Sequence, residues 1–293
     1  MSTPDEESAL LGLAPVAPDR TVAYGPHPDQ IVDLYAARAG AEPGAGAWPG
    51  AAHGPLVVLL HGGFWRAAYD RRHLSPLAAA LAGHGLPVAL AEYRRVGAGG
   101  GAPRTFEDVT AAIRAATQST RAAAGGTEAE RRAGAGGTAA AADGTAAGRG
   151  TVLVGHSAGG HLALLAAARP GTPVTRVIAV SPVADLARAH ELGLSDDAVG
   201  ALCGGGPGLA DRIAAADPVR HPPPRDLPVT LLHGTADPDV PPEISRRYAA
   251  AHPAGTTLRE LPAVGHYAPV TPGTPSFRTL LGELLDGRRA DGA

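Results

Sequence analysis

The chain has 293 residues, with 25 Lys+Arg against 28 Asp+Glu for a net charge of −3, and 44% hydrophobic residues. That length fits one large domain, at roughly 100–200 residues per domain as a soft expectation, and the near-neutral charge offers no electrostatic footprint for nucleic acid or an anionic membrane. There is no lysine and no asparagine, and the one cysteine is Cys203. A P-loop or Schiff-base lysine, a Ser-Lys dyad, a Cys-His-Asn triad, an intrachain disulfide and a thiolate zinc site are therefore all excluded.

In chain order, residues 1–19 are acidic and Pro-punctuated, which predicts a mobile leader rather than a signal peptide. Leu56-Val57-Val58-Leu59-Leu60 is a short apolar run between Gly54-Pro55 and Gly62-Gly63, the pattern of a strand buried on both faces. Leu74, Leu77 and Leu81 follow at helical spacing, Val88 to Ala91 reads as a second buried strand, and Phe106 to Ala116 as a helix capped by Thr105 with Asp108 three residues on. Residues 121–149 are almost wholly Ala, Gly, Thr, Glu and Arg. They read as a low-complexity insertion, or alternatively as a helical hairpin. Strands at Thr151 to Val154, Val177 to Val180 and Val229 to Leu232 continue the alternation, with helices at Leu162 to Ala167, Glu243 to Ala251 and Phe277 to Leu285. Residues 288–293 read as a tail.

This alternation predicts an α/β domain over residues 20–287, its mostly parallel sheet covered on both faces, with residues about 184–225 as a small helical cap. Ligands in such sheets lie beyond the carboxyl ends of the strands, which directs attention to His61, to Gly155 to Ser157, to His233 to Asp237 and to His266.

The strand at 151–154 runs into Gly155-His156-Ser157-Ala158-Gly159. A G-x-S-x-G between a strand and a helix is a nucleophile elbow: small residues flank a serine held in strained backbone, and the helix start offers the Ala158 N–H to an oxyanion. Upstream, His61-Gly62-Gly63-Phe64-Trp65 places two small residues after a strand, so the Gly62 and Gly63 amides are candidates for the rest of the oxyanion hole, with Phe64 N–H as a substitute. Phe64 and Trp65 either wall the substrate pocket or pack the loop under the sheet. A serine nucleophile needs a base and the base an orienting carboxylate, in the order Ser, Asp or Glu, His. Asp237 and His266 follow the last two strands in that order. Asp239 competes with Asp237 but adjoins Val240-Pro241, where the chain turns into a helix. Glu92 is either a catalytic carboxylate or, beside Tyr93-Arg94-Arg95, a structural ion-pair partner. The other histidines read as structural or as surface positions, His73 among the latter, and Cys203 as an inert residue of the cap.

With these residues in place, the chain resembles the α/β-hydrolases of the kynurenine formamidase (arylformamidase) and hormone-sensitive-lipase-like esterase group. The resemblance rests on His61-Gly62-Gly63-Phe64-Trp65, Glu92-Tyr93-Arg94, Gly155-His156-Ser157-Ala158-Gly159-Gly160-His161 and the Asp237 and His266 loops, with Gln30 to Tyr35 similar to the family's entry strand. It implies a serine hydrolase working through an acyl-enzyme without cofactor or metal, with an aryl-formamidase acting on N-formylkynurenine-like substrates as the first expectation. A carboxylesterase on short or mid-length acyl esters is the alternative, and a non-catalytic ligand-binding receptor of the same fold a remote one. The expected partner is a small-molecule substrate, with no nucleic acid or membrane, a cytoplasmic location, and a homodimer as an open option.

Overall fold

The computed structural model describes residues 3–38, 54–134 and 150–286. The tail at 288–293, His53 and the second half of the low-complexity stretch lie outside them.

Continuous apolar segments become the sheet's interior because in-line strands flanked by helices must be apolar on both faces. Thus β3 (Leu56–Leu60), β4 (Val88–Ala91), β5 (Thr151–His156) and β7 (Val229–Gly234) are buried along their whole length, as is all but the first residue of β6 (Arg176–Val180). Among the described residues eight strands form one sheet in the order β1-β2-β4-β3-β5-β6-β7-β8, adding β1 (Arg20–Ala23), β2 (Ile31–Tyr35) and the edge strand β8 (Thr256–Leu261). From β4 to β8 neighbours run parallel; β1, β2 and β4 pair antiparallel. This is the mostly parallel sheet that the alternation of elements predicts.

Two apolar layers cover the faces. One holds Val58, Leu60, Leu153 and Ala179 against Val109 and Ile113 of α3 (Arg104–Gly134) and Leu162 of α4 (Ala158–Ala167). The other holds Val57, Leu59, Val154 and Ile178 with Leu77 and Leu81 of α2 (Ser75–Gly83) and Leu280 and Leu284 of α9 (Pro275–Asp286). Adjacent strand residues enter opposite layers, as the period of two requires. The cap region contains α5 (Leu186–Glu191), α6 (Leu194–Cys203) and α7 (Leu209–Ala216), and α8 (Glu243–Ala251) lies between β7 and β8 in sequence.

Three local expectations are corrected. The described part of residues 1–19 is not a loose leader: Thr3–Leu11 is a helix, α1, with Glu6 and Leu10 buried, and Leu10 joins the layer formed by α2 and α9. Helix α3 does not stop near Ala116 but continues to Gly134, into the segment read as an insertion, consistent with the strong helix-forming tendency of Ala, Glu and Arg. The Thr105–Asp108 capping box is not made, because both side chains serve longer-range contacts. Thr105 Oγ1 donates to the Arg94 carbonyl, while the buried Asp108 carboxylate accepts from Arg94 Nε (2.8 Å), Arg94 Nη2 (2.7 Å) and Gln30 Nε2 (2.8 Å).

Asp108 therefore joins α3 to the segments after β4 and before β2. Replacing it with alanine leaves the Gln30 amide and the Arg94 N–H without their acceptor, and Asp108→Ala is expected to cost about 1–3 kcal/mol in urea unfolding.

Candidate active site

The elbow is set by how closely backbones approach. Ser157 sits at φ 55°, ψ −119° between β5 and α4. A Cβ on Gly155 would lie 2.2 Å from the Gly159 carbonyl oxygen, and one on Gly159 2.2 Å from that of Leu60. Only glycine fits either position, so the strained serine conformation is forced by the packing of β5, α4 and β3. The first turn of α4 leaves the Ala158 N–H without an acceptor inside the helix.

The oxyanion loop lies against the serine: a Cβ on Gly62 would be 2.9 Å from Ser157 Cβ. Among the described residues no hydrogen bond claims the Gly62 or Gly63 N–H. Gly63 has φ +101°, and a Cβ there would strike Tyr69 at 2.4 Å. Phe64 and Trp65 also have positive φ, 50° and 57°. Their side chains part ways. Phe64 is half-buried, whereas Trp65 is 0% exposed, with its ring edge-on to His161 at 5.2 Å. The pocket-wall expectation for Trp65 is thus corrected: the indole packs beneath the loop, where burying its large apolar surface stabilises the fold.

The loop is anchored from below by buried charge. The Glu92 carboxylate accepts from His61 Nε2 (2.8 Å), the Arg71 N–H (3.0 Å) and the Tyr93 N–H (3.0 Å), with the Arg95 guanidinium at 3.4 Å. His61 Nδ1 faces the Gly62 carbonyl at 2.8 Å, and its ring stacks on Tyr93 at 4.4 Å. Burial would raise the Glu92 pKa, but His61, Arg95 and the Arg71 N–H outweigh it and lower it from 4.5 to about 2. Glu92 is the ion-pair partner that its neighbours in sequence suggested. His73, expected at the surface, is half-buried beside His61 at 5.7 Å, and burial lowers its pKa from 6.5 to about 4.

The acid and histidine loops are laced together past the ends of β7 and β8. The Ala236 N–H donates to Val264 O and the Thr235 N–H to Leu261 O, both at 2.9 Å, and a Cβ on Gly234 would lie 2.2 Å from Val264 O. His266 Nδ1 meets Asp237 Oδ2 at 2.6 Å with both side chains buried. Asp237 Oδ1 accepts the Asp239 and Val240 N–H groups at 3.0 and 2.9 Å, and His233 Nε2 lies 3.3 Å from Oδ2. Burial opposes ionisation of Asp237, but His266 and His233 overcome it and hold the carboxyl far below its ordinary range. In turn, burial lowers the His266 pKa but Asp237 more than compensates, leaving it above 6.5. Asp239 is half-exposed. One ligand atom from each of Asp237, Asp239 and His266 falls within 4.8 Å, and the histidine's Nδ1 is engaged by Asp237.

His156 joins the elbow to the histidine loop. Its Nε2–H donates to the His266 carbonyl at 3.0 Å, the two rings lie 4.7 Å apart, and burial keeps the His156 imidazole neutral. The cap is tied to the same region, since His161 Nε2–H donates to Ala216 O at 3.0 Å and the Arg66 guanidinium donates to the Ser195 carbonyl. Cys203 is buried in the cap, and burial raises its thiol to about 11, which suits an inert role. Sequence reasoning missed one participant. The Glu6 carboxylate, from α1, accepts the N–H groups of Gly265, Tyr267 and Ala268, and no local motif marks a partner 259 residues away.

Removing Glu92 would leave the buried His61 Nε2 and the Arg71 and Tyr93 N–H groups without their acceptor and leave Asp29 as the carboxylate paired with Arg95, so Glu92→Ala is expected to lose about 3–5 kcal/mol of stability. Because its folded pKa is lowered, Glu92's contribution is fully present above pH 4.5 and is lost as the pH falls toward about 2. Urea titrations across that window are expected to show a shallower loss of stability in Glu92→Gln than in the parent.

A search of curated protein sequences returned no match. Among solved structures, a truncated carbohydrate esterase from gut microbiota is 18% identical at a TM-score of 0.68, covering 94% of this chain and 99% of its own. Esterase B from Lactobacillus rhamnosis, inhibited by a tributyrin phosphonate, is 21% identical at 0.67, covering 98% and 90%. A propionate-bound esterase from the planctomycete Thermogutta terrifontis is 22% identical at 0.59, covering 93% of each chain. These likenesses establish the α/β-hydrolase fold. Residues 138–286, which include the elbow and the Asp237 and His266 loops, match the model of the Esterase family, described as "Putative esterase". The chain belongs to the Esterase family.

Proposed function

We propose that this protein is a serine carboxylesterase for short-chain acyl esters, with Ser157 as nucleophile, His266 as base and Asp237 as the orienting acid. The observation that carries the reading is the buried 2.6 Å bond between His266 Nδ1 and Asp237 Oδ2, at a loop joined through His156 to the elbow that carries the serine. It leaves His266 Nε2 as the ring nitrogen for the serine proton.

Attack by Ser157 Oγ on the ester carbonyl forms the C–O bond and passes the hydroxyl proton to His266. The Gly62, Gly63 and Ala158 amides receive the negative charge on the carbonyl oxygen. Collapse of the tetrahedral species breaks the bond to the alcohol, which leaves with the proton from His266. Water, deprotonated by the same imidazole, then releases the carboxylic acid and frees Ser157. Asp237 stays ionised throughout and stabilises the imidazolium.

Membership of the Esterase family supports ester hydrolysis over the formamidase expectation, for which the comparisons offer no support. Preference for short acyl groups draws on the fold's neighbours, which include an esterase inhibited by a tributyrin phosphonate and one bound to propionate.

The decisive experiment measures kcat/KM for p-nitrophenyl acetate, butyrate and octanoate beside N-formyl-L-kynurenine. Short-chain values at or above about 10⁴ M⁻¹s⁻¹, falling with chain length, are expected, with little formamide cleavage; the reverse order would restore the formamidase reading. Ser157→Ala and Asp237→Asn are each expected to lower kcat by about 10⁴-fold in a folded protein, while Asp239→Asn stays active. Because the base must be neutral and its pKa is raised, kcat/KM is expected to fall as the pH drops through a value above 6.5.

A further inference from the structure

We propose that Glu6 is a positioning residue for the catalytic histidine, holding the backbone on both sides of His266 through a carboxylate contributed by α1. The proposal rests on the reading of His266 as the base. Glu6 Oε1 accepts the Gly265 N–H at 3.0 Å, and Oε2 accepts those of Tyr267 at 3.3 Å and Ala268 at 3.0 Å. The histidine therefore sits between donors fixed by one side chain.

This loop has left β8 and has not yet formed the short helical turn at Ala268–Val270, so no strand or helix supplies acceptors for these N–H groups. Glu6 is only 4% exposed, which leaves water little access to replace it. A buried carboxylate costs a great deal unless its charge is met; here three backbone donors meet it. The helix that carries Glu6 is itself docked, with Leu10 buried in the same apolar layer as Leu77, Val270 and Phe277. His266 is consequently restrained at three points: Asp237 at Nδ1, His156 at the carbonyl oxygen, and Glu6 through the neighbouring amides. An ångström of misplacement at a reacting group can cost about 10²-fold in rate, so a tether this near the base acts on catalysis as well as on folding.

Glu6 also contributes charge. The groups facing the His266 ring are Asp237 and Asp239 from the acid loop, Glu6 from α1, His156 from the elbow, and Tyr267 beside it, with His233 behind Asp237. Burial keeps His156 uncharged and holds the Tyr267 hydroxyl protonated. Glu6 is thus one of three acids that favour the imidazolium, after Asp237 and Asp239. Removing its charge makes the histidine easier to deprotonate and moves the acid limb of kcat/KM to lower pH.

The test compares Glu6→Gln and Glu6→Asp with the parent on p-nitrophenyl acetate from pH 5 to 9. Leu285→Ala, a core change in α9, serves as a control that lowers the melting temperature away from the loop. Glu6→Gln is expected to lower kcat about tenfold with KM within twofold, and to move the acid limb down by several tenths of a pH unit. Glu6→Asp, which keeps the charge, is expected to retain the parent's acid limb and recover part of kcat, while Leu285→Ala changes neither. The proposal is overturned if Glu6→Gln keeps the parent's kcat and acid limb, or matches Leu285→Ala in all but melting temperature. If Glu6→Gln does not fold, Glu6→Asp decides: a kcat below the parent's with the parent's acid limb is expected, and a kcat equal to the parent's or an acid limb moved to lower pH would overturn the proposal. His266→Ala separates the two layers: activity surviving in that variant would overturn the base assignment and this proposal with it, whereas loss of activity there with unaffected Glu6 variants would overturn this proposal alone.

Discussion

The molecule depends on one packing constraint, the contact of bare backbones at the serine. Gly155, Gly159 and Gly62 bring β5, α4 and the loop after β3 within distances that no side chain tolerates. Ser157 can take its positive φ only because these neighbours leave it no other conformation. The same closeness lets the Gly62 segment lie beside the serine, so the proposed nucleophile and the amides proposed as its oxyanion donors are set by a single act of packing. The central strands, buried and apolar on both faces, make that packing rigid.

Around this apolar frame the structure buries several charges, each with compensation. Glu92 meets His61, Arg71 and Arg95 beneath the oxyanion loop; Asp237 meets His266, His233 and two backbone amides. Buried ion pairs seldom add net stability over apolar packing, but breaking one is costly. They suit a site whose loops must each adopt one arrangement. The Glu92 cluster fixes the loop that would receive negative charge, and the Asp237 cluster the ring that would receive the proton.

The elements that hold the site come from the whole length of the chain. Glu6 reaches the histidine loop, His156 the same loop from the elbow, and His161 the end of α7. These three polar contacts join segments that share no strand pairing, and each uses a backbone group that regular secondary structure leaves unsatisfied. A loop-built site on a rigid sheet gains its precision in this way, since a loop's own residues cannot supply all its acceptors.

Much of this was legible in the sequence. Apolar runs of strand length, the Gly-x-Ser-x-Gly turn between strand and helix, and the order Ser157, Asp237, His266 are local signals, and a period or a tight turn needs only nearby residues to specify it. The turn at Val240-Pro241 already favoured Asp237 over Asp239, and the arginines beside Glu92 already suggested its ion-pair role; the burial of Trp65 needed coordinates, because it depends on which of two neighbours faces inward. Composition also misled. Polar, Pro-punctuated residues at 1–19 concealed a docked helix, and an Ala- and Gly-rich stretch concealed the extension of α3 to Gly134. What the sequence by itself determined is the sheet, its chain order and the chemical identities at its strand ends, because hydrophobic periodicity and turn stereochemistry are short-range. Only the tertiary structure decided which carboxylate meets the backbone around His266, because a buried hydrogen bond between residues 6 and 265 arises from the packing of helix α1 and leaves no periodic mark on the chain.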